Sequence, residues 1–208
     1  ILAKLESESK RSWGDLGSKA DNFLLWEKRY SMKGRGPKEP EPFVVECLPY
    51  MAKGKVLDIA CGEGRHALYL AQASASFDVL GLDRSPTAIK VAAERAAQLG
   101  LHANFAVRDL EKEFLPEEIF DTIVVTRYWQ ADLCPHIVSH LASGGVLVYE
   151  TYTLDYLRYG ERTRSHLLAS GQLRETFAQL GLKIDYYAEV DRPETREYSA
   201  RLRAIKIS

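Results

Sequence analysis

Val56-Leu57-Asp58-Ile59-Ala60-Cys61-Gly62-Glu63-Gly64-Arg65-His66 is the most informative stretch of this 208-residue chain. Its first five residues form an apolar run interrupted by one acid, the pattern of a short strand buried on both faces. Two glycines one residue apart follow, and they let the backbone turn tightly and come close to a ligand. From Gly64 onward Ala67, Leu70 and Ala71 share one helical face, so the turn opens a helix whose first N–H groups aim at whatever lies beside it. Strand, glycine turn and helix in this order form the repeating unit of parallel α/β sheets.

The same alternation continues outward. Phe77 to Asp83 reads as a second strand. Ser85 is a good N-cap, Pro86 suits a first helical turn, and Gly100 closes the helix they open. Ala103 to Val107 and Phe120 to Thr126 read as the third and fourth strands. A helix is expected over Leu133 to Leu141, then a Ser143-Gly144-Gly145 turn and a fifth strand from Val146 to Tyr149. Ser170 to Leu180 is expected to be helical, closed by Gly181. Leu182, Ile184, Tyr186, Ala188 and Val190 then alternate with polar residues, as do Tyr198, Ala200, Leu202 and Ala204. Joined through Arg192-Pro193-Glu194-Thr195, these two strands predict an antiparallel hairpin. The expected fold is α/β: a seven-stranded sheet, parallel except for an antiparallel strand of the C-terminal hairpin, with helices on both faces.

Residues 1–54 differ from this. Asn22 to Tyr30 suits a short amphipathic helix. Lys33 to Pro42 holds three prolines and two glycines and excludes regular structure. Phe43 to Met51 suits a short lead-in helix. Two parts are therefore expected, an extension over 1–54 and a domain over 55–208. Apolar residues make up 46% of the chain and charged residues 27%, the balance of a chain with a real core. Lys and Arg total 28 against 29 Asp and Glu, a net charge of −1 that argues against a nucleic-acid-binding surface. Three widely spaced cysteines fit neither a disulfide framework nor a zinc site, and no metal is expected. They point to a reducing cytoplasm. No 18-residue apolar run is present, so no membrane span is expected. The start lacks both a signal-peptide pattern and a Met, so the natural chain is expected to begin further upstream.

Ligands of open α/β sheets bind beyond the carboxyl ends of the strands, at the switch point beside the first one. Gly62-x-Gly64-x-x-Ala67 satisfies a loose dinucleotide fingerprint, weak by itself. Asp58, inside the strand, would repel a pyrophosphate and suits a cationic or amine-bearing ligand. Asp83 ends the second strand, where a carboxylate can accept both ribose hydroxyls. Asp109 follows the third, where it could accept from an adenine amino group. A nucleoside with a cationic amino-acid tail would use all three acids, and S-adenosylmethionine is such a molecule.

Val56 to Gly64 resembles the first motif of the class I S-adenosylmethionine-dependent methyltransferases. Gly81-Leu82-Asp83-Arg84-Ser85 resembles their second and Val107-Arg108-Asp109-Leu110 their third. The terminal hairpin is similar to their last two strands. The resemblance runs from Lys55 to the end of the chain and implies a Rossmann-like sheet. Trp26-Glu27-Lys28-Arg29-Tyr30, Gly64-Arg65-His66 with Leu68-Tyr69-Leu70, and Gly145 to Thr153 are similar to the small tellurite-resistance and thiopurine methyltransferase branch. By this resemblance Asp58, Ala60, Gly62 and Gly64 would surround the methionine moiety, with Cys61, Arg65 and His66 in the same cofactor-binding stretch. Asp83 would hold the ribose, Arg84 would flank the adenine, and Asp109 and Leu110 would bind its edge. Thr126 and Arg127 would face the sulfonium and the acceptor, with Tyr128 and Tyr152 as further acceptor-side candidates. Trp26, Arg29 and Tyr30 would be lid residues.

Structural roles compete with several of these. The glycines could serve only a tight turn, Asp109 a surface turn, Cys61 a loop filler and His66 a helix face. Trp26, Tyr30, Tyr128, Trp129, Tyr149 and Tyr152 could be core aromatics, with Tyr149 the more internal. Arg158, Arg162 and Arg164 could be solvated or could border the acceptor. Methyl transfer needs alignment and exclusion of water more than a catalytic base. After the fourth strand the chain reads Val125-Thr126-Arg127-Tyr128-Trp129-Gln130, without the Asn/Asp-Pro-Pro-Tyr/Phe motif of nucleobase and glutamine N-methylating enzymes. A small-molecule acceptor, a thiol, oxyanion or hydroxyl, is favoured. A protein or RNA acceptor, or a binding module without turnover, are the alternatives. An NAD-dependent enzyme is disfavoured by Asp58.

Overall fold

The computed structural model describes residues 24, 27, 28, 30, 31, 37–162 and 164–207. Of the helix expected over Asn22 to Tyr30, the described residues Leu24, Glu27, Lys28 and Tyr30 are helical, as is Ser31. Trp26 and Arg29 lie outside the described residues. Pro42–Cys47 forms a short helix, α1, continued by a 3-10 turn over Leu48–Tyr50.

The sheet is built from β1 (Gly54–Ile59), β2 (Phe77–Asp83), β3 (Ala103–Val107), β4 (Phe120–Thr126), β5 (Leu141–Tyr152), β6 (Leu182–Arg192) and β7 (Glu197–Lys206). Helices α2 (Arg65–Ala73), α3 (Pro86–Leu99), α4 (Cys134–Ser139) and α5 (Gln172–Gln179) join or follow these strands. Strand order is β3-β2-β1-β4-β5-β7-β6. Strands β1 to β5 pair in parallel, and β7 runs antiparallel to both β5 and β6. The order reverses beside β1, which puts the ligand crevice over the ends of β1, β2 and β4.

Alternate residues of each strand feed opposite faces. Leu57 and Ile59 of β1 join Ile123, Leu147, Tyr149 and Phe177 in one core layer. Val56 joins Val124, Val148 and Leu70 in the other. That second layer also takes Phe43, Val44, Cys47 and Met51, so the segment ahead of Lys55 contributes core side chains as well as a connection. The Ser85 side chain accepts the Ala88 N–H at 3.0 Å and starts α3, and Gly100 ends it at φ 64°.

Two boundaries differ from the expectation. Ala131–Leu133 is a 3-10 turn and α4 stops at Ser139, where β5 begins two residues on at Leu141. β5 extends to Tyr152 because β7 pairs with it from Val146–Ile205 to Tyr152–Ser199. Its length is set by that partner rather than by its own apolar run.

Gly81 lies in β2 where an added Cβ would come within 2.7 Å of the Phe105 ring and 2.9 Å of the Cys61 Sγ. Gly81→Ala is expected to destabilise the fold by about 1–3 kcal/mol through overpacking. The denaturation midpoint should fall at unchanged m-value. Adding Phe105→Val should recover part of the loss, since the two positions touch.

Candidate active site

Three carboxylates stand at the three strand ends, each in a different environment. Asp58 is fully buried in β1, and its Oδ2 accepts the Ala67 N–H at 3.1 Å in the first turn of α2. Its Oδ1 is buried without any partner. Burial pushes its pKa up to about 7; Asp83 adds to this, and the Ala67 N–H and Arg65 oppose it. Asp83 ends β2. Its Oδ2 accepts the Gly62 N–H at 2.8 Å and its Oδ1 the Ser85 N–H at 2.9 Å. Burial raises this acid too, against those two bonds and Arg84. Asp109 is more exposed. Burial draws it upward, but a Lys112 hydrogen bond, Arg84 and the Glu111 N–H outweigh that and hold it below the ordinary carboxylate range. Arg84 itself lies 3.2 Å from Glu111 and 3.8 Å from Asp109.

The turn after β1 carries three left-handed residues, Ala60 at φ 55°, Gly62 at 55° and Gly64 at 77°. Ala60 adopts this conformation with a side chain, a strain that folded proteins keep mainly at functional sites. The two glycines serve different ends. A Cβ on Gly64 would meet Phe105 at 2.8 Å and Ala92 at 2.9 Å. Its missing side chain therefore makes room for the α3 and β3 side chains. A Cβ on Gly62 would instead lie 2.8 Å from the Tyr30 Oη. Glu27 belongs to the same N-terminal helical segment; its Oε2 accepts the Thr87 hydroxyl at 2.7 Å, and its Oε1 is buried without a partner. Tyr30 and Glu27 thus lie over the first and second turns.

His66 is 1% exposed. Its Nε2 accepts the Glu41 N–H at 3.2 Å, which assigns the ring hydrogen to Nδ1, 3.3 Å from the Thr126 Oγ1. Burial, with Arg65 and Arg127 nearby, keeps its pKa well below the ordinary value, so the ring is neutral. Both ring nitrogens have partners inside the protein, so His66 positions Thr126 and α1. Cys61 is buried as well, its thiol well above the usual range through desolvation. Such a thiol is not a nucleophile.

Beyond β4 the site is walled by charge. Arg127, at φ 56°, reaches Glu41 at 2.6 Å and Glu197 at 2.8 Å. Glu41 also takes Arg65 at 2.7 Å. Arg192 lies 2.9 Å from Glu150 and 3.1 Å from Glu197, and Arg201 lies 3.1 Å from Glu150. Tyr152 donates its hydroxyl to Glu197 at 3.0 Å. None of the three glutamates stood out in the sequence. Glu41 sits between Pro40 and Pro42, a signal for a rigid position. Glu150 and Glu197 were hidden because their partners, Arg201 and Arg192, are cross-strand neighbours whose pairing depends on register.

The aromatics divide. Tyr149 is core: it packs on Phe177 and Trp129 and donates to the Tyr128 carbonyl at 3.0 Å. Tyr128 donates to the Gln130 Oε1 at 2.5 Å, and the Gln130 Nε2 donates to the Leu110 carbonyl at 3.1 Å. These residues close the wall beside Asp109. Among the described residues no group of three or more His, Cys, Asp or Glu is placed to hold a metal, and no helix is long and apolar enough to cross a membrane.

Residues 56–145 match the family described as a methyltransferase domain. Hemagglutinin 1 of Eikenella corrodens is 31% identical over 136 residues, 61% of this chain and 44% of its own. Phosphoethanolamine N-methyltransferase 3 of Arabidopsis thaliana is 32% identical over 129 residues, 59% of this chain and 26% of its own. The chain thus spans less than half the length of these curated relatives. The crystal structure of TehB from Haemophilus influenzae superposes with a TM-score of 0.67 at 22% identity, over 87% of this chain and 67% of that one. The fold is that of the class I S-adenosylmethionine-dependent methyltransferases. The residues present fit that cofactor: the unpartnered, buried Asp58 oxygen is a ready acceptor for an ammonium group.

Glu41 neutralises arginines that are themselves largely buried. Glu41→Gln is expected to cost about 3–5 kcal/mol, since Arg65 and Arg127 would be left short of a counter-charge. The control Glu46→Gln, at an exposed position of α1, should change stability by less than about 0.5 kcal/mol. Denaturant titration of both variants checks the contrast.

Proposed function

Starting from a methyltransferase domain over residues 56–145, we propose that the chain transfers the methyl group of S-adenosylmethionine to a small acceptor, a thiol, oxyanion or hydroxyl. The observation that carries this is the buried, unpartnered Asp58 oxygen, set in line with Asp83 and Asp109 at the next two strand ends. When bound, the cofactor supplies an electrophilic methyl carbon. The protein's part is to bind, orient and exclude water.

Asp58 takes the ammonium. Asp83, already braced by two N–H groups, keeps lone pairs for the ribose hydroxyls. Asp109, with Leu110 and the flanking Arg84, holds the adenine edge. The backbone of Ala60, Cys61 and Gly62 lies along the methionine moiety, with Arg65 behind it. Thr126, held by His66, faces the reacting end. Tyr30 closes over the first turn as a lid residue. Arg127 and Tyr152 line the acceptor side, and Tyr128 walls the adenine end. No base is assigned: His66 is enclosed, and the Tyr152 hydroxyl is committed to Glu197.

A small acceptor is favoured over a protein or RNA because Glu41 and Glu197 tie Arg127 across the mouth beyond β4, where a macromolecule would need an open groove. The Arabidopsis relative carries a small molecule in its name. Three free, buried cysteines suit a reducing compartment, the cytoplasm.

Calorimetry with S-adenosylmethionine and S-adenosylhomocysteine tests the reading, and failure of both to bind at micromolar concentration would sink it. Asp83→Ala should weaken either ligand about 10–100-fold, the value of one or more charge-assisted hydrogen bonds. Unchanged affinity would remove the ribose assignment.

Asp58 makes binding pH-dependent. Below about pH 7 the apo protein holds this acid protonated, whereas an ammonium partner favours the ionised form. Binding therefore releases a proton at acid pH, and affinity should rise with pH and level off above about 7. Titrations between about pH 5.5 and 8, in buffers of different ionisation enthalpy, check the sign. Asp58→Asn should lose both the proton release and the slope.

A further inference from the structure

We propose that the methyl acceptor carries an anionic group, a carboxylate or phosphate, and that Arg162, seated against the Tyr152 and Tyr156 rings beyond β5, is the residue that receives it. The guanidinium carbon of Arg162 lies 4.0 Å from the Tyr152 ring centre and 4.8 Å from that of Tyr156. The two rings stand 4.7 Å apart at 57° and form a two-walled seat. Tyr152 cannot easily swing away, because its hydroxyl is bonded to Glu197. Contact of this kind holds a guanidinium in place through its π face and leaves its N–H donors for a carboxylate or phosphate, which it binds in two-point fashion.

Among the described residues Arg162 forms no ion pair and no hydrogen bond. Its neighbours do: Arg158 pairs with Asp155 at 2.7 Å, and Arg196 donates to the Tyr159 carbonyl at 2.8 Å. The charge around it is also unbalanced. The buried network behind Tyr152 sets four arginines against three glutamates. One of those arginines, Arg127, has its guanidinium carbon 5.9 Å from the centre of the same Tyr152 ring. On the other side His166 is within electrostatic reach of both Arg162 and Glu111, and Glu111 is already bonded to Arg84. Buried and half-buried charges are ordinarily paired. A stacked arginine with a vacant edge, beside a network with a positive surplus, lacks an anion that an acceptor would bring.

This inference rests on the methyl-transfer reading, and the experiment separates the two. The full chain, saturated with S-adenosylhomocysteine, is titrated calorimetrically with benzoate, phenyl phosphate and the neutral analogue benzamide. At least one anion should bind about tenfold or more tightly than benzamide, as a two-point charge-assisted contact allows. The tighter of the two decides between carboxylate and phosphate. Arg162→Gln should bring both anions down to the benzamide level without changing affinity for S-adenosylhomocysteine. Arg162→Lys should keep part of the preference, because it retains the charge but loses the planar two-point donor set. Equal binding of the three probes, no anion binding at millimolar concentration, or an Arg162→Gln protein that keeps the preference overturns the proposal alone. A wild-type chain that does not take up S-adenosylhomocysteine overturns the methyl-transfer reading, and this proposal with it.

Discussion

Asp83 spends both carboxylate oxygens on backbone N–H groups from two separate turns, Gly62 after β1 and Ser85 after β2. The rest of the site depends on that bridge. It sets the spacing of the first two strand ends and starts α3 beside α2. It also keeps a charged group buried where only strong hydrogen bonds make burial tolerable. Asp58 is the complementary case. One of its oxygens is satisfied by α2 and the other is buried without a partner, which leaves an acceptor for a group from outside the chain.

The second organising feature is the ion network on the far side of β4. Glu41 enters it from ahead of the sheet, and Arg192, Glu197 and Arg201 from the terminal hairpin. A segment near the start of the described chain and a hairpin near its end therefore meet at Arg127, whose left-handed backbone is held by carboxylates from both. Such a network adds little net stability over an apolar core, but it is unforgiving of partial loss. What it provides here is a wall of defined shape and charge next to Thr126, Tyr152 and Arg162.

Much of this was legible in residue order. The Val56-to-Gly64 strand and turn, the Ser85 cap with Pro86 and Gly100, and the alternating pair around Arg192-Pro193 are local patterns, and each formed where its pattern lay. Asp58, Asp83 and Asp109 could be singled out because a charge at the end of an apolar strand is conspicuous. Gly64 was legible as a turn, but the neighbours that also need its empty space, Phe105 and Ala92, were not, since they come from two other elements.

By itself, then, the sequence determined the strand and helix alternation, the parallel sheet with its reversed last strand, and the three acids at the switch point. These follow from periodicities and caps that act within a few residues. Tertiary structure alone decided that His66 faces inward to Thr126, that β5 runs on to Tyr152, and that Glu41, Glu150 and Glu197 bind arginines distant in the chain. It also decided that Arg162 comes to rest on two tyrosines with its edge unpaired. Those outcomes depend on strand register and on long-range burial of charge, and no local pattern of residues encodes either.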